Sequence, residues 1–302
     1  MTGGQTVMKY AYYPGCSLHA TAKEYDISTK AVCEALGIEL EEIPNWVCCG
    51  ASSAHMTSEL LSLALPVSDL VIAKDMGLDT LVCCAACYSR LRVANAQMVS
   101  DDGHRAQVNE IVGTEYSGES QVRHLLDVLV HEYGLDALRE KVTRELSDLR
   151  VVAYYGCLLS RPPEIVAFDD PENPTAMDEL AAALGAKALD WPNKTECCGQ
   201  SLSLTRTDVV LKLCRDILQS ACDRGADCIV VACPLCHSNL DMRQAQINRQ
   251  YQTQFGVPIL YFTQLVGLAL GLEPKELGMS KHITSPSKLL AAKGLDKRKE
   301  TA

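Results

Sequence analysis

The chain has 302 residues, 47% of them hydrophobic and 22% charged, with fifteen cysteines and a formal net charge of −10. That is enough apolar material for two domains, and the acidic balance excludes the basic face that a nucleic-acid partner requires. No charged n-region leads into an apolar h-region, and the longest apolar run, residues 259–272, is interrupted by Thr263 and Gln264 and falls short of the ~20 residues that span a bilayer, so a cytoplasmic chain with no direct membrane span is expected, its odd cysteine count pointing to metal or redox chemistry rather than a secreted disulfide framework.

The first predicted element is KYAYY, residues 9–13, a short apolar and aromatic strand that runs into Cys16. ISTKAVCEALG at 27–37 carries apolar residues at helical spacing, and IELEEI at 38–43 reads as a second strand. VCCG at 47–50 follows. Adjacent side chains on an extended strand point to opposite faces, so Cys48 and Cys49 serve one site only if the backbone turns sharply, and Gly50 supplies the residue for such a turn. A helix over 57–77 then ends at Gly77, and DTLVCC at 79–84 reads as a buried third strand leading into the C-x-x-C pair Cys84 and Cys87. VRHLLDVLV at 122–130 adds a fourth strand and a helix.

From residue 150 the series begins again. RVVAYYGC ends at Cys157, AKALDW at 186–191 is the second strand, ECCG at 196–199 contains Cys197 and Cys198, and a helix over 205–225 ends at Gly225. DCIVVAC at 227–233 then leads into Cys233 and Cys236, and ILYFTQLVGLAL at 259–270 repeats the last strand and helix. Thirty-five positions separate Cys49 from Cys84, and thirty-five separate Cys198 from Cys233. The interval from Cys16 to Cys48 is shorter than that from Cys157 to Cys197, which places an insertion in the Pro-rich stretch SRPPEIVAFDDPENP of the second copy. The chain is an internal duplication, and its domains are expected at 8–147 and 148–279, with a polar tail over 280–302 that reads as a mobile extension or a partner contact.

Alternating strands and helices predict an α/β fold: two similar domains, each a small parallel sheet flanked by helices, related by a pseudo-twofold axis, with the ligand edge at the carboxyl ends of the strands. Each copy brings five thiols to that edge, one more than a structural zinc site or a cubane cluster uses. A thioredoxin-like dithiol at Cys84 and Cys87, or a zinc scaffold, is the competing reading for a single C-x-x-C. Cys33, Cys214, Cys222 and Cys228 are expected to be small buried hydrophobes, and the register makes Cys83, aligned with Ala232, a core residue beside Cys84. His19, His55 and His237 lie close to motif cysteines and are candidate proton donors, although a polar or structural role is the simpler reading of each. Lys194 and Arg206 are expected at the solvated surface. No G-x-G-x-x-G follows a strand, so electrons must come from another protein.

A lone cysteine, a CCG and a C-x-x-C, present twice, resemble the duplicated CCG-domain protein that forms the B subunit of heterodisulfide reductase, in its bacterial-type form. The resemblance implies two non-cubane [4Fe–4S] clusters, one held by Cys16, Cys48, Cys49, Cys84 and Cys87 and the other by Cys157, Cys197, Cys198, Cys233 and Cys236. It implies an oxidoreductase that cleaves a small-molecule or protein disulfide between the two clusters, fed by the iron–sulfur C subunit next to the flavin-bearing A subunit. CCG domains also look familiar from quinone-linked dehydrogenases, and an electron-relay role in such a complex is the alternative.

Overall fold

The computed structural model describes residues 8–296. Two four-stranded sheets, all parallel, carry the chain. In the first, β1 (Lys9–Tyr13), β2 (Glu39–Glu42), β3 (Thr80–Val82) and β4 (Val122–His124) are ordered β2-β1-β3-β4. In the second, β5 (Arg150–Tyr154), β6 (Lys187–Ala188), β7 (Cys228–Val231) and β8 (Ile259–Tyr261) repeat the order as β6-β5-β7-β8. The inner strands β3 and β7 are buried along their whole length, which is why they read as unbroken apolar runs rather than alternating ones. The outer strand β2 alternates polar side chains and stays largely exposed.

Between the strands run α1 (Lys23–Leu36), α2 (Glu59–Met76) and α3 (Ala85–Ser100) in the first copy, and α4 (Ala176–Ala183), α5 (Thr207–Asp223), α6 (Pro234–Met242) and α7 (Phe262–Ala269) in the second. Parallel strands joined by helices put every strand's carboxyl end on one edge, and β1, β3, β5 and β7 each run out there into a motif cysteine. The second strand of the second copy is shorter than its sequence pattern. Only Lys187 and Ala188 pair with β5, because the chain turns so that Trp191 enters the core and donates from Nε1 to Ala153 O at 2.8 Å.

The two copies share one apolar core. At its centre the Tyr25 ring of α1 stacks on Tyr261 at the end of β8, with centroids 3.9 Å apart, and Ser28 on the same helix bonds Thr263 at 2.7 Å. The insertion of the second copy crosses to the first. Arg92 of α3 donates twice to Ile165 O, Ser89 donates to Arg161 O, and Tyr88 donates to Val166 O. The described part of the C-terminal tail, residues 280–296, is packed against the second copy rather than standing free, and residues 297–302 lie outside the described ones. Asp241 accepts from the backbone N–H groups of Ile283 and Thr284, Lys293 pairs with Asp227, and Leu290 and Leu295 of the last stretch are buried. Two buried apolar residues, Leu290 in α8 (Ser287–Ala292) and Leu295 beyond it, are the reason a polar segment docks.

Candidate metal centre

Each copy builds its thiol set from the same parts. The first CCG turn uses Gly50 at φ +70° and the second Gly199 at φ +78°, a left-handed backbone that a side chain disfavours, and this turn sends the two neighbouring cysteines to different partners. Cys48 Sγ lies 3.7 Å from Cys16 Sγ, whereas Cys49 Sγ lies 3.4 Å from Cys87 Sγ. Cys87 in turn meets Cys84. In the second copy Cys197 meets Cys157, Cys198 Sγ lies 3.5 Å from Cys236 Sγ, and Cys236 meets Cys233. Tyrosines at equivalent positions brace both turns, since the Tyr13 hydroxyl donates to Val47 O and the Tyr154 hydroxyl to Glu196 O, each just before the CCG.

The sets graduate from surface to interior. Cys16, Cys48 and Cys197 are exposed and Cys157 is half-buried, while Cys49, Cys84, Cys87, Cys198, Cys233 and Cys236 are buried. The innermost thiols of the two sets, Cys84 and Cys233, hydrogen-bond to each other across the boundary between the copies. Ten sulfurs thus gather along one edge of the molecule, five from each copy, and the two sets touch at that pair.

Three of these thiols are drawn toward the thiolate that binds metal, while thiol neighbours and burial raise Cys16, Cys49, Cys84, Cys87, Cys157 and Cys236. Hydrogen bonding from Cys157 holds Cys197 down to about 6, assisted by the Gly199 N–H, which lies 3.3 Å from its sulfur. Bonding from Cys16 and then Cys49 lowers Cys48 in the same way, and Cys236 and Cys84 hold Cys233 well below a thiol's ordinary value. Soft sulfur donors in two sets of five suit iron–sulfur chemistry, and a dithiol pair would leave the other three thiols of each set without a use.

The remaining cysteines stand apart. Cys83 is fully buried, and its sulfur takes a 3.5 Å contact from Thr29 Oγ1. Cys33, Cys214 and Cys228 are buried as expected, but Cys222 is exposed on the outer face of α5. Lys194, expected at the solvated surface, is instead buried and donates to Pro174 O at 3.0 Å and to Asp178 at 3.3 Å, fixing the insertion loop beside Cys157. Arg206 is exposed and pairs with Asp208. His19 and His55 are exposed near the first set, His19 resting edge-on against Trp46.

His237 is turned away from the sulfurs into a network that sequence reasoning missed. His237, Asp241 and His282 bring their ligand atoms within 4.8 Å of one another, an arrangement open to a cation. The hydrogen-bond directions close it without one. Gln264 Oε1 accepts from Tyr261 N and its Nε2 donates to Leu277 O, both at 3.0 Å, which fixes the amide so that Nε2 also donates to His282 Nε2 at 2.8 Å. His282 therefore carries its proton on Nδ1, where it faces Ile259 O and, 3.2 Å away, His237 Nε2; Ile259 O can only accept, and it also lies 3.1 Å from His237 Nε2. Also missed was Asp69 of α2, whose Oδ1 accepts from Val47 N at 2.8 Å just before the first CCG while Oδ2 is buried without a partner. Burial raises this carboxyl to about 7. Its only sequence signal was that it is the one charged residue between Leu60 and Ala73 of that helix.

Comparison with known proteins finds the same duplication. The cysteine-rich domain family designated CCG matches residues 10–92 and again residues 151–241. The chain is 35% identical over 284 residues to the 8-methylmenaquinol:fumarate reductase membrane anchor subunit of Wolinella succinogenes, covering 93% of this chain and 99% of that one. It is 33% identical over 289 residues to the B subunit of the ferredoxin:CoB-CoM heterodisulfide reductase of Methanosarcina mazei, covering 94% and 96%. The crystal structure of a hypothetical protein from Helicobacter pylori shares the fold, with a TM-score of 0.74 at 15% identity; the match covers 93% of this chain and 53% of that one.

Proposed function

The chain belongs to the family of duplicated CCG cysteine-rich proteins that includes the B subunit of heterodisulfide reductase, and from that premise we propose that it is the disulfide-reducing member of a heterodisulfide reductase-like complex. In this reading Cys16, Cys48, Cys49, Cys84 and Cys87 hold one non-cubane [4Fe–4S] cluster, and Cys157, Cys197, Cys198, Cys233 and Cys236 hold the other. The observation that carries it is the meeting of the two thiol sets at Cys84 and Cys233. A disulfide needs two electrons and two protons to become two thiols; two iron sites held by these sets would supply one electron each and a soft acceptor for each departing sulfur, with the protons coming from solvent at the exposed rim.

The protein's own part is to orient and to exclude water. The buried thiols lie on the inner side of each set and the exposed ones on the outer side, so the chain separates a dry interior from a rim open to an incoming molecule. Among the described residues no helix is long and apolar enough to cross a membrane. Electrons then arrive from an iron–sulfur protein linked to a flavoprotein in a cytoplasmic assembly. With an artificial low-potential donor, the anaerobically loaded chain should reduce an organic disulfide, and replacing either thiol set should abolish turnover rather than halve it.

The likeness to a fumarate reductase subunit favours a second reading, in which the same two clusters relay electrons within a quinol-linked reductase. A variant lacking the first set that still reduces disulfides at about half the rate would put that reading ahead.

A further inference from the structure

Two backbone carbonyls, Cys83 O and Ala232 O, occupy the same place in the two copies. Each ends an inner strand and immediately precedes an innermost cysteine, Cys84 or Cys233. One side chain reaches both. The Tyr25 hydroxyl lies 2.8 Å from Cys83 O and 3.4 Å from Ala232 O, so its single proton bonds the first strongly and the second at longer range. His124, at the end of β4, approaches the same pair. Its Nδ1 accepts from Leu126 N at 3.2 Å, which leaves the ring proton on Nε2, and Nε2 donates to Cys83 O at 2.8 Å while also interacting with Ala232 O.

Both donors are completely buried and held by rings. Tyr25 stacks on Tyr261, which stacks in turn on His237 at 4.3 Å, and His124 sits among Tyr88, Phe168 and Phe262. A buried carbonyl without a donor is costly, and two carbonyls directed at one place repel each other. The hydroxyl and the imidazole N–H turn that repulsion into a bracket. Tyr13 and Tyr154, by contrast, each tie down a carbonyl of their own copy.

We propose that Tyr25 and His124 are a positioning pair that sets the distance between the two thiol sets, and with it the spacing of the two iron sites between which a disulfide would lie. The proposal rests on the reading of the sets as paired iron sites. Neither side chain reaches the reacting atoms; they act through the backbone of residues 83 and 232. Without the Tyr25 proton the two strand ends relax apart, carrying Cys84 and Cys233 with them.

The test uses Tyr25→Phe, which keeps the stacked ring and removes only the hydroxyl, with His124→Gln as a second variant should the first not fold. In metal-free protein, diamide oxidises the Cys84 and Cys233 thiols to a disulfide, taking up two electrons and two protons, and the linked peptide is followed by mass spectrometry. The rate should fall about five-fold, the effect of one net buried hydrogen bond. In iron-loaded protein the iron content should stay unchanged while the magnetic coupling between the two reduced centres weakens and the KM for an organic disulfide shifts. A lower melting temperature with unaltered cross-linking and coupling would overturn the proposal, because the hydroxyl would then be an ordinary core hydrogen bond. If wild-type protein shows no paired iron centres, the iron reading fails on that result, and the cross-linking rate alone decides whether the bracket exists.

Discussion

Cys236 Sγ lies 2.9 Å from the point where a Cβ on Gly156 would stand, and Cys87 Sγ lies 3.1 Å from the same point on Gly15. In each copy the second sulfur of the C-x-x-C rests on the glycine just before the lone cysteine, with that glycine at φ +67° or +66°. Gly156→Ala should therefore both strain the backbone, by about 1–2 kcal/mol, and displace Cys236. Iron bound at the second set should fall while the first set keeps its share, and Gly15→Ala, with slightly more room, should give the milder mirror image. Iron assay and thermal unfolding of the two variants check this.

The anaerobically reconstituted chain should carry about eight irons with matching sulfide, as two four-iron clusters require. Cys84→Ala should lose iron, while Cys83→Ala, whose side chain packs against Thr29, should keep it and lose only about 1 kcal/mol to a small cavity. Two zinc atoms and no visible absorbance would show the sets to be scaffolding.

Acid should destabilise the fold through its buried histidines. Burial lowers His124 and His282 to about 4 and His237 well below its ordinary value, so the unfolded chain binds their protons first as pH falls from about 6.5. Stability is complete above that point and drains away down to pH 4, by up to about 3 kcal/mol for His124 alone. Urea titrations across this range should show the loss, and His282→Gln should shallow the slope.

Asp69 works in the opposite direction. Its carboxyl, raised to about 7 by burial, stays protonated in the folded chain over a range where the unfolded chain has ionised, so its contribution fades as pH rises from about 4 to 7. Asp69→Asn keeps the acceptor for Val47 N and removes the titration. The variant should match wild type near pH 4 and exceed it by about 2–3 kcal/mol at pH 7, as read from urea midpoints. An unchanged difference across that interval would show that the carboxyl does not titrate there.

The docked C-terminal segment should be released by a single change. Asp241→Ala removes the acceptor for the Ile283 and Thr284 N–H groups, and limited proteolysis should then cut near residue 283 well before the wild-type chain is nicked. A protection pattern like that of wild type would mean that Leu290 and Leu295 hold the segment by themselves.

Periodicity made the strands, the duplication and the sulfur-bearing edge readable because all three are repeated patterns with fixed spacing. The turn at Gly50 was readable for a similar reason, since two neighbouring cysteines can reach one edge in few ways. What stayed hidden depends on pairs distant in the chain. Nothing local to Tyr25 says that its hydroxyl meets residues 83 and 232, and His282 gains its meaning only when Gln264 fixes its proton. Lys194 looked like a surface cation because its partners, Pro174 O and Asp178, are brought to it by the fold. Sheet order was hidden too, because β1 takes β3 as its second neighbour through side-chain packing that no short window records.

The strap formed by residues 161–166 of the second copy over α3 of the first makes the halves unequal members of one molecule. A chain assembled from two first copies would have nothing to lay across that helix. One assembled from two second copies would offer two straps but no Arg92 or Tyr88 to receive either, since the helix after its C-x-x-C carries His237 and Asp241 instead. The two halves are therefore not interchangeable, and a change in the strap has to be met by a change on α3.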